Sequence, residues 1–366
     1  MATLTQPDTE TDAQPAPSQA DRPARRLLRQ ALVLLVLLAT VDLAVVLGIE
    51  PLALAGTQGQ TATAVGRKAL YHHAAAPLDV LLMGSSRVQC DLSPSLMMNR
   101  AGAVYSQTVS VLNLGLAGGT PQSNYWLLKN VVSTDKQPKL IIYGTSEYEF
   151  NPNGGRIPPS NYSDELATLA DYPQAFPDPG LHIDWQLSFL VGRPWHLFRY
   201  RTTLHDMLLD ATSDTGDPTG APDPYGFLPL NHEMRPIDVR KLQTVYQGPG
   251  GHLQNYTVVG YLATRFEEFL RLAQSRGIAV VVINMPITKV HESWLSPADY
   301  AAYRAYLRAV AARYGVPFFD YDDHSLWQEP GDFADTNHMN RVGAKKLSNM
   351  VSKDVLLPAL ARLGWK

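Results

Sequence analysis

The feature that most constrains this chain is an apolar run from Ala31 to Ile49, interrupted only by Thr40, Asp42 and Gly48. A helix rises 1.5 Å per residue, so about 20 such residues cross a hydrocarbon layer of ~30 Å. Arg22, Arg25, Arg26 and Arg29 lie just before the run or at its start, and positive charge on one flank holds that flank inside. The expectation is a transmembrane signal-anchor over 27–50, with everything after residue 50 outside the cytoplasm. Asp42 costs about 2.5–3.5 kcal/mol near the middle of such a helix, which the surrounding Leu and Val residues offset. Ala53-Leu54-Ala55 resembles a small-residue cleavage site. The long n-region and long apolar run favour an uncleaved anchor, and both readings export the rest of the chain. Residues 1–26 hold almost no large apolar side chains and are expected as a disordered cytoplasmic tail, because they bury too little to offset ordering entropy.

The remainder is long enough for one large domain, and at 45% hydrophobic residues the 366-residue chain supports a sizeable core. A net charge of −3 argues against a nucleic-acid partner. The single cysteine, Cys90, excludes an intramolecular disulfide. Residues 51–76 are expected as a linker, and the domain runs over 77–366. Short runs rich in Val, Ile, Leu and aromatics, flanked by Gly, Pro or Asn, predict strands at Asp79–Met83, Ser110–Leu114, Leu140–Tyr143, Ala279–Asn284 and Pro317–Phe319. Continuous apolar strands of this kind suit a parallel sheet covered on both faces. Helical patterns at Gln122–Val132, Val258–Ser275, Pro297–Tyr314 and Asn340–Leu363 fall between and after them. The alternation predicts a three-layer α/β/α sandwich on a mostly parallel, five-stranded, flavodoxin-like sheet. A stretch at about 151–256, dense in Pro, Gly, Asp and Trp, breaks the pattern. It is expected as an insertion after the third strand, with one helical segment near Trp195–Leu209, forming a lid or a wall of the site.

Four blocks carry candidate chemistry. Leu81-Leu82-Met83-Gly84-Ser85-Ser86-Arg87 ends a strand and begins a helix. There a serine hydroxyl projects from the carboxyl edge of the sheet, and its N–H is suited to a developing oxyanion. By itself Gly-Ser-Ser is a common turn and cap. Asn113 through Thr120-Pro121 holds glycines that let a backbone amide approach a substrate, but it also reads as a loop with a Thr cap and Pro at the first helical position. Tyr143-Gly-Thr-Ser146-Glu147 closes the third strand and also reads as a capping turn. Asp335-Thr-Asn-His338, just before the last helix, sets a carboxylate where it holds an imidazole in one tautomer. A histidine within reach of Ser86 takes its proton; taken alone, Asp-x-x-His is more often a surface or capping pair.

Together, in this order, the four blocks resemble the SGNH (GDSL-like) hydrolase family, and they span residues 79 to 343. The resemblance implies Ser86 as nucleophile, with Asp335 and His338 completing a triad. It implies an oxyanion hole from Ser86, Gly118 and Ser146. Ser85 stands where that family usually has Asp, and Ser146 where it has an Asn donor. A hydroxyl still donates one hydrogen bond, whereas losing a donor outright costs roughly 2.7–4 kcal/mol of transition-state stabilisation. Arg87, Asn113 and Glu147 are candidate substrate contacts; Arg87 reads equally as a residue in a surface salt bridge.

The anchor, the Gly-Ser-Ser-Arg block and the insertion look most like membrane-tethered SGNH-like proteins linked to teichoic-acid D-alanylation and exopolysaccharide O-acetylation. That likeness implies acyl transfer or ester hydrolysis on a cell-envelope polysaccharide or polymer, with an integral-membrane acyltransferase as partner. A plain carbohydrate or lipid esterase is the alternative enzyme, and a non-catalytic polymer-binding or assembly protein the alternative class. No cofactor or metal is expected: neither His72-His73 nor Asp322-Asp323-His324 is set against a second ligand group, and the Gly-rich 113–121 segment lacks a nucleotide cradle's Lys-Ser/Thr. Trp185, Trp195, Phe198, Tyr200, Tyr225 and Phe227 of the insertion read as a satellite core more than as sugar-stacking surfaces.

Overall fold

The computed structural model describes residues 21–55, 63–155, 158, 161–177, 183–212 and 223–366. Five strands, β1 (Val80–Gly84), β2 (Val111–Asn113), β3 (Leu140–Thr145), β4 (Ala279–Asn284) and β5 (Phe318–Asp320), form one sheet in the order β2-β1-β3-β4-β5. Every pairing is parallel, with Gly84 opposite Gly144 and Thr145 opposite Asn284. This is the doubly wound order expected from the strand–helix alternation.

Successive side chains on a strand point to opposite faces, and here both faces are dry. Leu81, Met83, Ile141, Tyr143, Val280 and Val282 pack under the helices Pro121–Trp126, Tyr261–Ser275 and Pro297–Tyr314. Val80, Leu82, Leu140, Ile142, Val281 and Ile283 pack under Ser86–Asp91, Pro94–Gly102 and Arg341–Val351. That double burial is why the strands read as unbroken apolar runs rather than alternating ones.

The N-terminal apolar run lies in one helix, Asp21–Ala55. Its segment Arg25–Leu54 is long and apolar enough to cross a membrane, with its side chains largely uncovered by protein. The expected tail is helical from Asp21 onward, and its first 20 residues lie outside the described ones. Part of the expected linker is also structured. Residues Ala64–His73 form a helix capped by the Thr63 hydroxyl, and the buried Arg67 donates to the carbonyls of Asn113 (2.9 Å) and Gly226 (2.6 Å). A guanidinium satisfying two buried carbonyls fastens this segment to the end of β2. The insertion holds more helix than expected, including Ile183–Gly192, His196–Arg199, Arg201–Thr212 and Pro236–Gln247.

Candidate active site

The site is assembled at the carboxyl ends of β1, β2 and β3. Gly84 ends β1 at φ +147°, and a Cβ there would stand 2.4 Å from the Gly144 carbonyl oxygen and 2.6 Å from Val88. Only glycine admits both that backbone and that close approach. Ser85 then caps the short helix Ser86–Asp91, its hydroxyl accepting from the Arg87 N–H, so Ser86 becomes the first helical residue. The cap explains why Ser85 is wholly buried whereas Ser86 reaches the surface.

The Asp335–His338 segment is a tight loop between Phe333 and Met339, which form an antiparallel bridge. Asn340 caps the following helix by accepting from Val342 N–H (2.9 Å) and Gly343 N–H (3.1 Å), and its amide donates back to the Gly331 carbonyl (2.8 Å). Asp335 Oδ1 accepts the backbone N–H groups of Asn337 and His338, each at 2.8 Å. Its Oδ2 lies 2.8 Å from His338 Nδ1, and His338 Nε2 lies 2.8 Å from Ser86 Oγ. A carboxylate accepts only, so Nδ1 carries the proton and Nε2 is the base toward Ser86. Ser86, Asp335 and His338 are each partly exposed, whereas Ser85, Arg87, Ala334, Thr336, Asn337 and Met339 around them are buried. Sequence neighbours thus form the mould, and these three side chains open onto solvent.

Burial disfavours the imidazolium, but the charge and hydrogen bond of Asp335 outweigh it and hold the His338 pKa above the ordinary histidine value. Burial likewise opposes ionisation of Asp335, and His338 with the two N–H donors overcomes it and keeps the carboxylate low. An imidazole so placed can accept a proton from the Ser86 hydroxyl and give it back, the geometry that a serine nucleophile requires.

Among the described residues, the N–H groups of Ser86 and Gly118 are engaged by no other protein group. The Gly118 carbonyl is held aside by Asn161, whose amide donates to it at 3.0 Å, and the Tyr162 hydroxyl donates to the Ala117 carbonyl. The insertion therefore clamps this loop and forms a wall beside it. Ser146 departs from expectation: its hydroxyl is fully buried, 3.1 Å from the Ser85 hydroxyl, and no incoming oxygen reaches it.

The three expected substrate contacts are also placed otherwise. Asn113 is fully buried; its amide donates to the Val88 (2.7 Å) and Leu92 (2.8 Å) carbonyls and so caps the carboxyl end of the Ser86 helix. Arg87 and Glu147 face each other in a bidentate pair, Nη1 to Oε2 at 2.8 Å and Nη2 to Oε1 at 2.7 Å, with 0% and 1% exposure. Both face the protein interior because leaving either charge buried alone is prohibitive. Burial opposes the Glu147 charge, and Arg87 and His291 pull its pKa far below the ordinary range.

Sequence reading missed what this pair supports. His291 Nε2 lies 2.8 Å from Glu147 Oε1, and its Nδ1 lies 3.0 Å from Thr336 Oγ1. In the orientation that satisfies both ends of its amide, Asn337 donates to Asp335 Oδ1 (3.0 Å) and accepts from Arg87 Nη2 (3.3 Å). The residue after Ser86 is thereby wired to the loop that carries Asp335 and His338. Asp91, also missed, is buried beneath this loop, accepts the Met339 N–H at 2.9 Å, and is pushed by burial up to about 8. The one signal for it was a carboxyl in the short helix that Ser86 begins. His291 and Thr336 gave none, lying far along the chain from Glu147.

No protein-family model matches the chain, and no curated protein matches it. Among solved structures, it is similar to a lipase/acylhydrolase from Enterococcus faecalis at 13% identity and TM-score 0.39, over 76% of this chain and 95% of the other. A GDSL-like lipase from Bacteroides thetaiotaomicron is similar at 10% identity and TM-score 0.40, over 81% and 98%. A catalytic mutant of an acetylxylan esterase from Geobacillus stearothermophilus is similar at 9% identity and TM-score 0.39, over 80% and 97%.

Proposed function

We propose that this chain is a membrane-anchored serine enzyme of the SGNH type, acting outside the cytoplasm through an acyl-Ser86 intermediate. The observation that carries the reading is the unbroken chain from Ser86 Oγ to His338 Nε2 (2.8 Å) and from His338 Nδ1 to Asp335 Oδ2 (2.8 Å). Ser86 attacks an ester carbonyl as His338 takes its proton. The Ser86 and Gly118 N–H groups receive the oxyanion, a two-donor hole in place of three. The acyl group then passes to water or to a hydroxyl of a cell-envelope polysaccharide, with an integral-membrane acyltransferase as donor in the second case. The arginines before the apolar helix favour a single-pass protein of the plasma (inner) membrane with its N-terminus inside.

One observation favours a second, non-catalytic reading, a polymer-binding or assembly role: Ser146 withholds its hydroxyl from the site. Incubation of the full chain in detergent with a fluorophosphonate probe, beside Ser86→Ala, separates the two. Labelling that vanishes in Ser86→Ala supports the enzyme. Absence of labelling in a folded wild-type protein favours the binding role.

A further inference from the structure

Asp42 lies within the apolar segment Arg25–Leu54, yet it is not left alone there. Its carboxylate accepts the Leu197 N–H at 2.7 Å and lies 3.1 Å from His196 Nδ1. Along the same helix, Val45, Ile49 and Ala53 pack with Tyr200, Leu204 and Met207. The insertion thus runs alongside the final third of the apolar helix. Glu50, which meets His72 (2.8 Å) and Lys68 (3.8 Å) of the first domain helix, marks where polar contacts resume. At 1.5 Å per residue, the level of His196 and Leu197 is about 12 Å below Glu50.

What the insertion shows outward at that end is apolar except for Asp184 in the first turn. Ile183, Leu187, Leu190 and Val191 recur at helical spacing and are 63%, 58%, 43% and 43% exposed, while Gln186, Phe189 and Gly192 fill the inward face. A helix in water carries polar residues on its outer stripe. Two nearby positive charges turn away from it: Arg193 donates to the Ala167 (2.5 Å) and Ser163 (2.9 Å) carbonyls, and Arg199 to the Asp164 carbonyl, while the exposed Arg201 sits at its flank, donating to the Ser188 hydroxyl (2.6 Å).

We infer that the Ile183–Gly192 helix and the His196–Arg199 turn are a second membrane element, seated in the half of the bilayer next to the domain, with lipid acyl chains against Ile183, Leu187, Leu190 and Val191. The occupant is lipid because the His196–Arg199 turn that follows this stripe is held against Asp42, in a helix whose own surface is built for lipid. Interfacial amphipathic helices bury their apolar face about 5–10 Å deep, so a turn at about 12 Å lies just beyond that level. The inference rests on the reading of Arg25–Leu54 as a membrane span.

Full-length protein in nanodiscs of phosphatidylcholine and phosphatidylglycerol, with no other protein, carries a nitroxide on Leu34→Cys, Leu187→Cys, Leu190→Cys or Gln243→Cys. Cys90 is buried, and burial raises its thiol well above the ordinary range, so it does not label in the folded protein. At Leu187 and Leu190, as at Leu34, collisions with oxygen are expected to exceed those with a water-soluble nickel chelate several-fold, with the reverse at Gln243. Aqueous behaviour at Leu187 and Leu190 with lipid behaviour at Leu34 overturns the inference and leaves a protein partner to cover the stripe. Aqueous behaviour at all four sites overturns the membrane span itself.

Discussion

Two aspartate–histidine pairs in this molecule are almost the same object chemically. Asp335 and His338 meet at 2.8 Å and Asp42 and His196 at 3.1 Å, and in each the carboxylate also accepts backbone N–H. They differ in what the free imidazole nitrogen faces. His338 presents it to Ser86 at 2.8 Å, at the end of a strand, with unclaimed amides beside it. His196 ties an insertion to an apolar helix. An Asp–His pair is therefore a fixed, polarised imidazole and no more; the third group makes it a base or a fastener.

The widest test of that contrast is removal of the third group or the base. Ser86→Ala or His338→Ala is expected to lower ester turnover by roughly 10⁴–10⁶-fold, whereas His196→Ala leaves turnover of a soluble p-nitrophenyl ester within about two-fold, since it reaches no reacting atom. Steady-state kinetics on the three variants measure this, and equal losses in His338→Ala and His196→Ala would break the comparison.

A third imidazole sharpens it. His291 leans on Glu147 rather than on an aspartate, and Glu147 is committed to the buried Arg87. Glu147→Gln strands that guanidinium and is expected to destabilise the domain by about 3–5 kcal/mol, read by denaturant unfolding. Because the folded-state pKa of Glu147 is depressed, the difference from wild type is full above the ordinary carboxylate range. It shrinks as pH falls through that range toward the depressed value.

The pH profile tests Asp335 directly. His338 must be neutral to accept the Ser86 proton, and its pKa is raised. Turnover therefore falls at low pH and climbs as pH passes a midpoint above the ordinary value of 6.5. Asp335→Ala is expected to lower the rate and move that midpoint to lower pH, because the group that stabilises the imidazolium has gone. An unmoved midpoint would assign the limb to another group. The smallest effect belongs to the fastener: Asp42→Asn is expected to cost about 0.6 kcal/mol, the average for polar contacts between membrane helices, in unfolding from mixed micelles, with soluble-ester turnover unchanged.

How much was legible depends on sequence distance. Asp335 and His338 are three residues apart in a loop capped by Asn340, so their pairing is local and readable. The five strands were readable because double-sided burial leaves a continuous apolar signature, and their observed ends fall close to those expected. Asp42 and His196 are 154 residues apart, and no local pattern announces such a pair. Nor could residue type separate a buried Arg87 from a substrate-facing one: the same guanidinium suits an anionic polymer or a bidentate carboxylate, and only the arrival of Glu147 from the end of β3 decides.

The sequence by itself determined the long apolar N-terminal helix, the parallel sheet and the four blocks at the strand ends, since each is written in the spacing of neighbours along one element. Tertiary structure alone decided that Ser146 is buried, that Asn113, Arg87 and Glu147 brace the site from behind, and that the insertion lies along the apolar N-terminal helix. Those outcomes depend on which side chains arrive from distant elements to satisfy a buried charge, carbonyl or hydroxyl, and a buried polar group accepts whichever partner the fold brings within reach.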